Sequence, residues 1–350
     1  MSSSKKNLLL TYDYELFLGN RSGKVSECLI HPTNDTLKIL NQYKVKGIFF
    51  VDTVYLIRLN DHKNLYPVCG SDFELISRQL QNLVKSGHYV FIHIHPHWLD
   101  ADYLPEINEW KLSNIERYRF HNCDESTRQK LFDDSMHIIK EIIAPVDAGY
   151  KPDCFRAGGW GIQPFSDFKN LFARHKIQYD MSVQSGFYSF TDAQFFDFTK
   201  APVKCIYRFG DNECEEMRDG AITEFTISSI EPGIGNRMLN KIFQKFLHKF
   251  MDDPPYLRGQ GQESNKIEGM KAPESGYDIL ETTRERIGIE MLNPFKLGLY
   301  KKYLSQNDYM HFISHPKMIA GFQQRLFAKF LEFACSNYSI ESDFRKMDVP

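Results

Sequence analysis

Seven short apolar runs, separated by stretches of helical period, constrain this chain more than any other feature. They are Asn7 to Tyr12, Gly47 to Val51, His88 to Ile92, Cys154 to Phe155, Ile177 to Val183, Ala221 to Ile227 and Tyr309 to Ser314. Apolar strands that alternate with helices belong to parallel sheets, because a parallel pair needs a crossover and the crossover is usually a helix. Phe73, Ile76, Leu80, Leu83 and Val84 recur at helical spacing after a cap at Ser71 or Asp72, and Gly87 supplies the stop. Thr127 to Ile143 carries Leu131, Phe132, Ile138, Ile139 and Ile142 on one side, and Met318 to Cys335 reads as a closing helix. Periodicity alone leaves a closed barrel and an open doubly wound sheet equally available.

A chain of 350 residues buries roughly three quarters of its unfolded surface, so one domain over 1–350 is expected. The pattern loses regularity over 185–306, which is read as a partly helical insertion that includes a breaker-rich stretch from Asp252 to Gly261. Lys plus Arg (43) nearly balance Asp plus Glu (45), so nothing points to a nucleic-acid partner. The seven cysteines stand singly with no C-x-x-C spacing, which fits a reducing, cytoplasmic location. The first apolar run is too short for a signal peptide or a membrane span. Arg237, Lys241, Lys245 and Lys249 accompany an apolar stripe of Leu239, Ile242, Phe243, Phe246 and Phe250. That arrangement either packs on the protein with a solvated basic face or makes a weak contact with a membrane surface.

Ionisable residues gather where these runs end. In Thr11-Tyr12-Asp13-Tyr14-Glu15, alternation along an extended chain places Asp13 and Glu15 on the same side. Such a pair either works at a site or is simply solvated or paired with Lys or Arg. His93-Ile94-His95-Pro96-His97 follows another run, and three imidazoles in five residues are hard to satisfy as core packing. Two of them with Glu15 would make a two-His-one-carboxylate metal site with a position open for water; a polar loop is the plainer reading. Arg156-Ala157-Gly158-Gly159-Trp160-Gly161 offers a guanidinium that can hold a carboxylate, and glycines that let the backbone approach another group closely. A tight turn beside a structural ion pair has the same signature. His315 ends the last run, where a lone histidine is either structural or a proton carrier.

Taken in order, these motifs resemble those of the polysaccharide deacetylases, also called carbohydrate esterase family 4 or NodB-type deacetylases. The resemblance implies an α/β fold, a distorted (β/α) barrel of about seven parallel strands with a groove at their carboxyl ends. It further implies that Asp13 is the general base and that His93 and His97, at H-x-x-x-H spacing, bind the metal with Glu15. Arg156 would orient Asp13, Asp180 in Tyr179-Asp180-Met181-Ser182 would support His315, and His315 would be the general acid. Two positions depart from the usual pattern: Tyr14 stands where a second adjacent acid is common, giving an acid-x-acid motif, and Ala157 replaces a proline after the arginine.

The chemistry implied is hydrolysis of an amide by metal-activated water, with zinc the expected divalent cation. The expected partner is a carbohydrate, an N-acetylated envelope polysaccharide or its precursor, and the products are acetate and a free amine. The same barrel could instead hydrolyse a non-sugar or cyclic amide. A third possibility is a metal-free barrel that binds glycan without cleaving it.

Overall fold

The computed structural model describes residues 4–17, 19, 21–113, 116–191, 194–239, 243 and 284–349. All seven apolar runs form strands of one sheet. In chain order its strands are β1 (Lys5–Tyr14), β2 (Ile48–Asp52), β3 (Tyr89–Ile94), β4 (Cys154–Ala157), β5 (Tyr179–Asp180), β6 (Ile206–Phe209), β7 (Ile222–Phe225), β8 (Tyr309–Ser314) and β9 (Ser339–Glu341). They lie in the order β6-β7-β5-β4-β3-β2-β1-β8, with β9 also paired to β1. Only the edge strand β6 runs antiparallel to its neighbour.

The helices are α1 (His31–Tyr43), α2 (Thr53–His62), α3 (Pro67–Lys85), α4 (Glu125–Ile143), α5 (Ser166–His175), α6 (Pro294–Gln306) and α7 (Gly321–Asn337). α3 starts four residues before the expected cap, because Tyr66 is extended and Pro67, with no amide hydrogen to lose, opens the helix. It stops where expected: Gly87 takes φ +82° and its N–H closes on Val84 O. Asp124 caps α4 by accepting from Thr127 N at 2.8 Å. The closing helix begins at Gly321, not Met318, since Pro316–Met318 is spent on a separate 3₁₀ turn.

The sheet curls, and alternation sorts its side chains into two groups. Leu8, Leu10, Tyr12, Phe49, Val51, Val90, Ile92 and Phe155 belong to the large core shared with the helices. Leu9, Ile48, Phe50, Phe91, Cys154, Met181, Phe225 and Tyr309 form a second, smaller core closed by Phe344 and Met347. Those residues face inward, and Phe344 floors the barrel with edge-to-face contacts to Phe91, Tyr179 and Phe225.

No ladder joins β7 to β8. A two-residue antiparallel pair, Ser229–Ile230 with Glu285–Arg286, and the residues beside it span the gap instead. Ser228 N donates to His311 O and His311 N to Ser228 Oγ, while Ile287 N donates to Ser228 O and Ile313 N to Ile287 O. The wall is therefore a curled parallel half-barrel completed by segments outside the main sheet. Strands β6 and β7 and helix α6 all fall within 185–306, so that stretch builds part of the wall. The Asp252 to Gly261 stretch and most of the basic amphipathic segment lie outside the described residues; residues 234–239 are helical. Among the described residues no helix is long and apolar enough to cross a membrane.

Candidate active site

The inward-facing series climbs from apolar to charged along several strands. On β1 it runs Leu9, Thr11, Asp13 and then Glu15; on β2, Phe50 and Asp52; on β3, Phe91 and His93, then His95; on β4, Cys154 and Arg156; on β8, His311 and, past its end, His315. A period of two thus carries the core pattern directly into a polar rim. Tyr14 faces the other way, and its hydroxyl donates to Gln79 Oε1 on α3 at 2.7 Å. The acid-x-acid spacing is what puts both carboxylates inside.

Arg156 is fully buried, with Nη1 2.7 Å from Asp13 Oδ1, Nη2 2.8 Å from Thr11 Oγ1 and Nε 2.9 Å from Met181 O. Its guanidinium lies 4.3 Å from the Phe50 ring centroid. His311, held well below the usual imidazole range by burial and by Arg156, is neutral and accepts from Arg156 Nη2 through Nε2 at 3.2 Å. Burial pushes the Asp13 carboxyl up, but Arg156, His93 and His315 outweigh it and hold the group below its ordinary value. Asp13 is therefore an ionised carboxylate in a fixed orientation.

His93 donates from Nδ1 to Arg156 O at 2.8 Å, which leaves its Nε2 lone pair facing Glu15. Glu15 Oε2 lies 2.8 Å from His95 Nε2 and 3.5 Å from His93 Nε2, and the two imidazole nitrogens are 3.0 Å apart. Among the described residues, Glu15, His93 and His95 are the group of side chains positioned to hold a metal ion. Two ligands of a tetrahedral zinc stand roughly 3.3 Å apart at bond lengths of about 2.0–2.1 Å, so this donor set fits such an ion.

His97, which the resemblance pairs with His93, is not in that group. The backbone is still extended at His95, so residues 93 and 95 share a side; the 3₁₀ turn that moves His97 away begins only at Pro96. His97 is 2% exposed, both its ring nitrogens lack a hydrogen-bond partner among the described residues, and it stacks on Tyr118 at 5.4 Å. Gly158 backs His95: a Cβ there would come within 2.3 Å of Ile94 O and 3.0 Å of His95 Nδ1. Gly158→Ala is accordingly expected to cost about 2 kcal/mol or more of stability and to loosen metal uptake, measured by urea denaturation and metal titration.

The support expected of Asp180 comes from elsewhere. His315 donates from Nδ1 to Glu290 Oε1 at 3.0 Å, and its Nε2 faces Asp13 Oδ2 and Glu15 Oε1, each at 3.7 Å. The Glu290 side chain is buried, and His315 with Arg286 holds its carboxyl down against the push of burial. Asp180 sits on β5 with β7 between it and β8. It accepts from Ser182 Oγ at 2.8 Å, and buried Glu224 is its neighbour. Burial and then Asp180 push Glu224 far above the usual carboxylate range, so it keeps its proton. Stability from that raised group is complete below about pH 4.3, the ordinary value, and declines as pH rises. Glu224→Gln should therefore gain on the parent between pH 5 and pH 8 in urea denaturation, and an unchanged difference would count against a protonated Glu224.

Two further site residues escaped the sequence reading. Asp52 ends β2 as Asp13 does β1, accepts from Trp98 Nε1, and is pushed up to about 6 by burial. Lys317 follows His315 by two residues and donates to Glu15 Oε1 at 3.0 Å.

Neither the family models nor the curated proteins searched contain a match to this chain. Solved structures give distant likenesses. A Mycobacterium smegmatis protein described as a polysaccharide deacetylase has 14% identity and a TM-score of 0.44, over 97% of this chain and 87% of that one. A Parabacteroides distasonis protein described as a glycoside hydrolase/deacetylase has 10% identity and a TM-score of 0.49, over 97% and 69%. A family 4 acetyl xylan esterase from Clostridium thermocellum, solved with a cobalt ion, has 20% identity and a TM-score of 0.23; the match covers 43% of this chain and 48% of that one. No residue role follows from likenesses this distant.

Proposed function

We propose that this chain is a metal-dependent hydrolase that removes N-acetyl groups from a carbohydrate. One observation carries the reading. A Glu15–His93–His95 donor set lies between an ionised carboxylate braced by Arg156 and an imidazole braced by Glu290. The substrate class rests on the motif resemblance, and a cytoplasmic encounter with a precursor glycan rests on the singly placed cysteines.

When bound, a divalent cation, zinc by its nitrogen and oxygen donors, supplies Lewis acidity to the amide carbonyl and to water. The rest is performed by the chain. Asp13, kept ionised by Arg156, accepts the proton of the attacking water. His315 delivers a proton from Nε2 to the departing amine, while Glu290 holds the ring through Nδ1. His315 Nε2 lies 3.7 Å from both Asp13 and Glu15, so acceptor and donor stand at the same rim.

The test is acetate release from N-acetylated oligosaccharides, before and after chelation, with ring opening of cyclic amides assayed beside it. Chelation should abolish acetate release and zinc should restore it. Full activity in a demonstrably metal-free sample would rule out the mechanism. Ring opening without acetate release would move the substrate away from sugars and leave the site chemistry standing.

A further inference from the structure

The two oxygens of Glu15 have different neighbours. Oε2 faces the imidazoles of His93 and His95. Oε1 accepts from Lys317 Nζ at 3.0 Å. Lys317 is only 5% exposed, and its ammonium also donates to Leu16 O at 2.6 Å and lies 4.8 Å from the Phe17 ring centroid. A buried ammonium is costly unless it is paired and hydrogen-bonded, and here its charged partner is the carboxylate read above as a metal ligand. The Pro316–Met318 turn, closed by Met318 N on His315 O at 2.8 Å, fixes Lys317 relative to His315. One tight turn thus supplies both groups that face Glu15 Oε1.

We propose that Lys317 is a positioning residue that makes Glu15 a one-oxygen ligand: the ammonium occupies Oε1 and presents only Oε2 to a divalent cation. This rests on the reading that Glu15, His93 and His95 hold that cation. Carboxylates bind metals through one oxygen or both, and a chelating carboxylate would fill a position that a catalytic ion needs for water or substrate. Lys317 keeps that position free. It also sets a positive charge beside the site, so tightness of binding is given up for an open coordination sphere.

The test uses full-length Lys317→Met and Lys317→Arg proteins, with zinc affinity from competition against a chromophoric chelator and the visible spectrum of the cobalt-loaded form. Lys317→Met frees Oε1 and removes a repelling charge, so zinc should bind about tenfold tighter or more, with a changed cobalt spectrum. Lys317→Arg can fork onto both carboxylate oxygens, so zinc should bind about tenfold weaker or more. The expected changes are opposite in sign, so either variant that folds decides. Zinc affinity within about threefold of the parent, or weaker binding by Lys317→Met, would overturn the inference while leaving the metal reading intact. A parent protein that takes up neither zinc nor cobalt would overturn both.

Discussion

Asp13→Asn is expected to keep its bound cation and to lose amide turnover by roughly two to four orders of magnitude. The amide has the size of the carboxylate and can still accept from Arg156 Nη1, which now lies 2.7 Å from Asp13 Oδ1. It cannot take a proton. Glu15→Ala should behave differently, because it removes one of three donors and with it both metal affinity and activity. Metal content of the two proteins, purified and loaded identically, separates base from ligand. If Asp13→Asn emerges empty while Glu15→Ala keeps its ion, the two roles are exchanged.

His315→Ala should cost about two to four orders of magnitude on amides and much less on activated esters, whose leaving groups need little protonation. Glu290→Gln tests the brace by the same comparison. The isostere keeps the acceptor's shape, but a neutral amide holds the ring N–H more weakly than a carboxylate does, so amide turnover should fall selectively. Equal losses on both substrate types would make His315 a structural residue and leave the reaction without its proton donor.

The strands were legible because their signal is local. An apolar run ending in acid or imidazole reads the same in sequence and in space, so Asp13, Glu15, His93, Arg156 and His315 converge as the runs suggested. Asp52 carries that same signal, an acid closing the strand Ile48–Asp52, but it lies outside the motifs on which the resemblance rests. His97 enters only through the H-x-x-x-H spacing of the resemblance, whereas the chain stays extended to His95 and turns at Pro96, which puts His95 beside His93. Glu290 was invisible for a different reason. It lies 25 residues before His315, in a stretch with neither helical nor strand period, so nothing local marks it as a partner. The role of Asp180 comes from the resemblance alone, and in the fold Asp180 neighbours buried Glu224 while Glu290 braces His315. Lys317 is legible as a charge beside a proline, but its burial against Glu15 is a tertiary fact.

The gap between β7 and β8 gives the two halves of the site unequal mechanical support. Glu15 and His93 extend from or lie on strands joined by continuous ladders, β1 to β2 to β3. Glu290 hangs from the 286–290 segment, tied to β8 by scattered bonds such as Ile313 N to Ile287 O and Ile289 N to Ser314 Oγ. Where ladder hydrogen bonds are missing, side-chain packing must hold the segment, and here fully buried Ile287 and Ile289 do so. An excursion there would unhook the brace of His315 while the ladder-borne ligands stayed in register. The protein would then pass through a state that still grips its cation but has lost the means to release an amine, so proton delivery would fail before metal binding does.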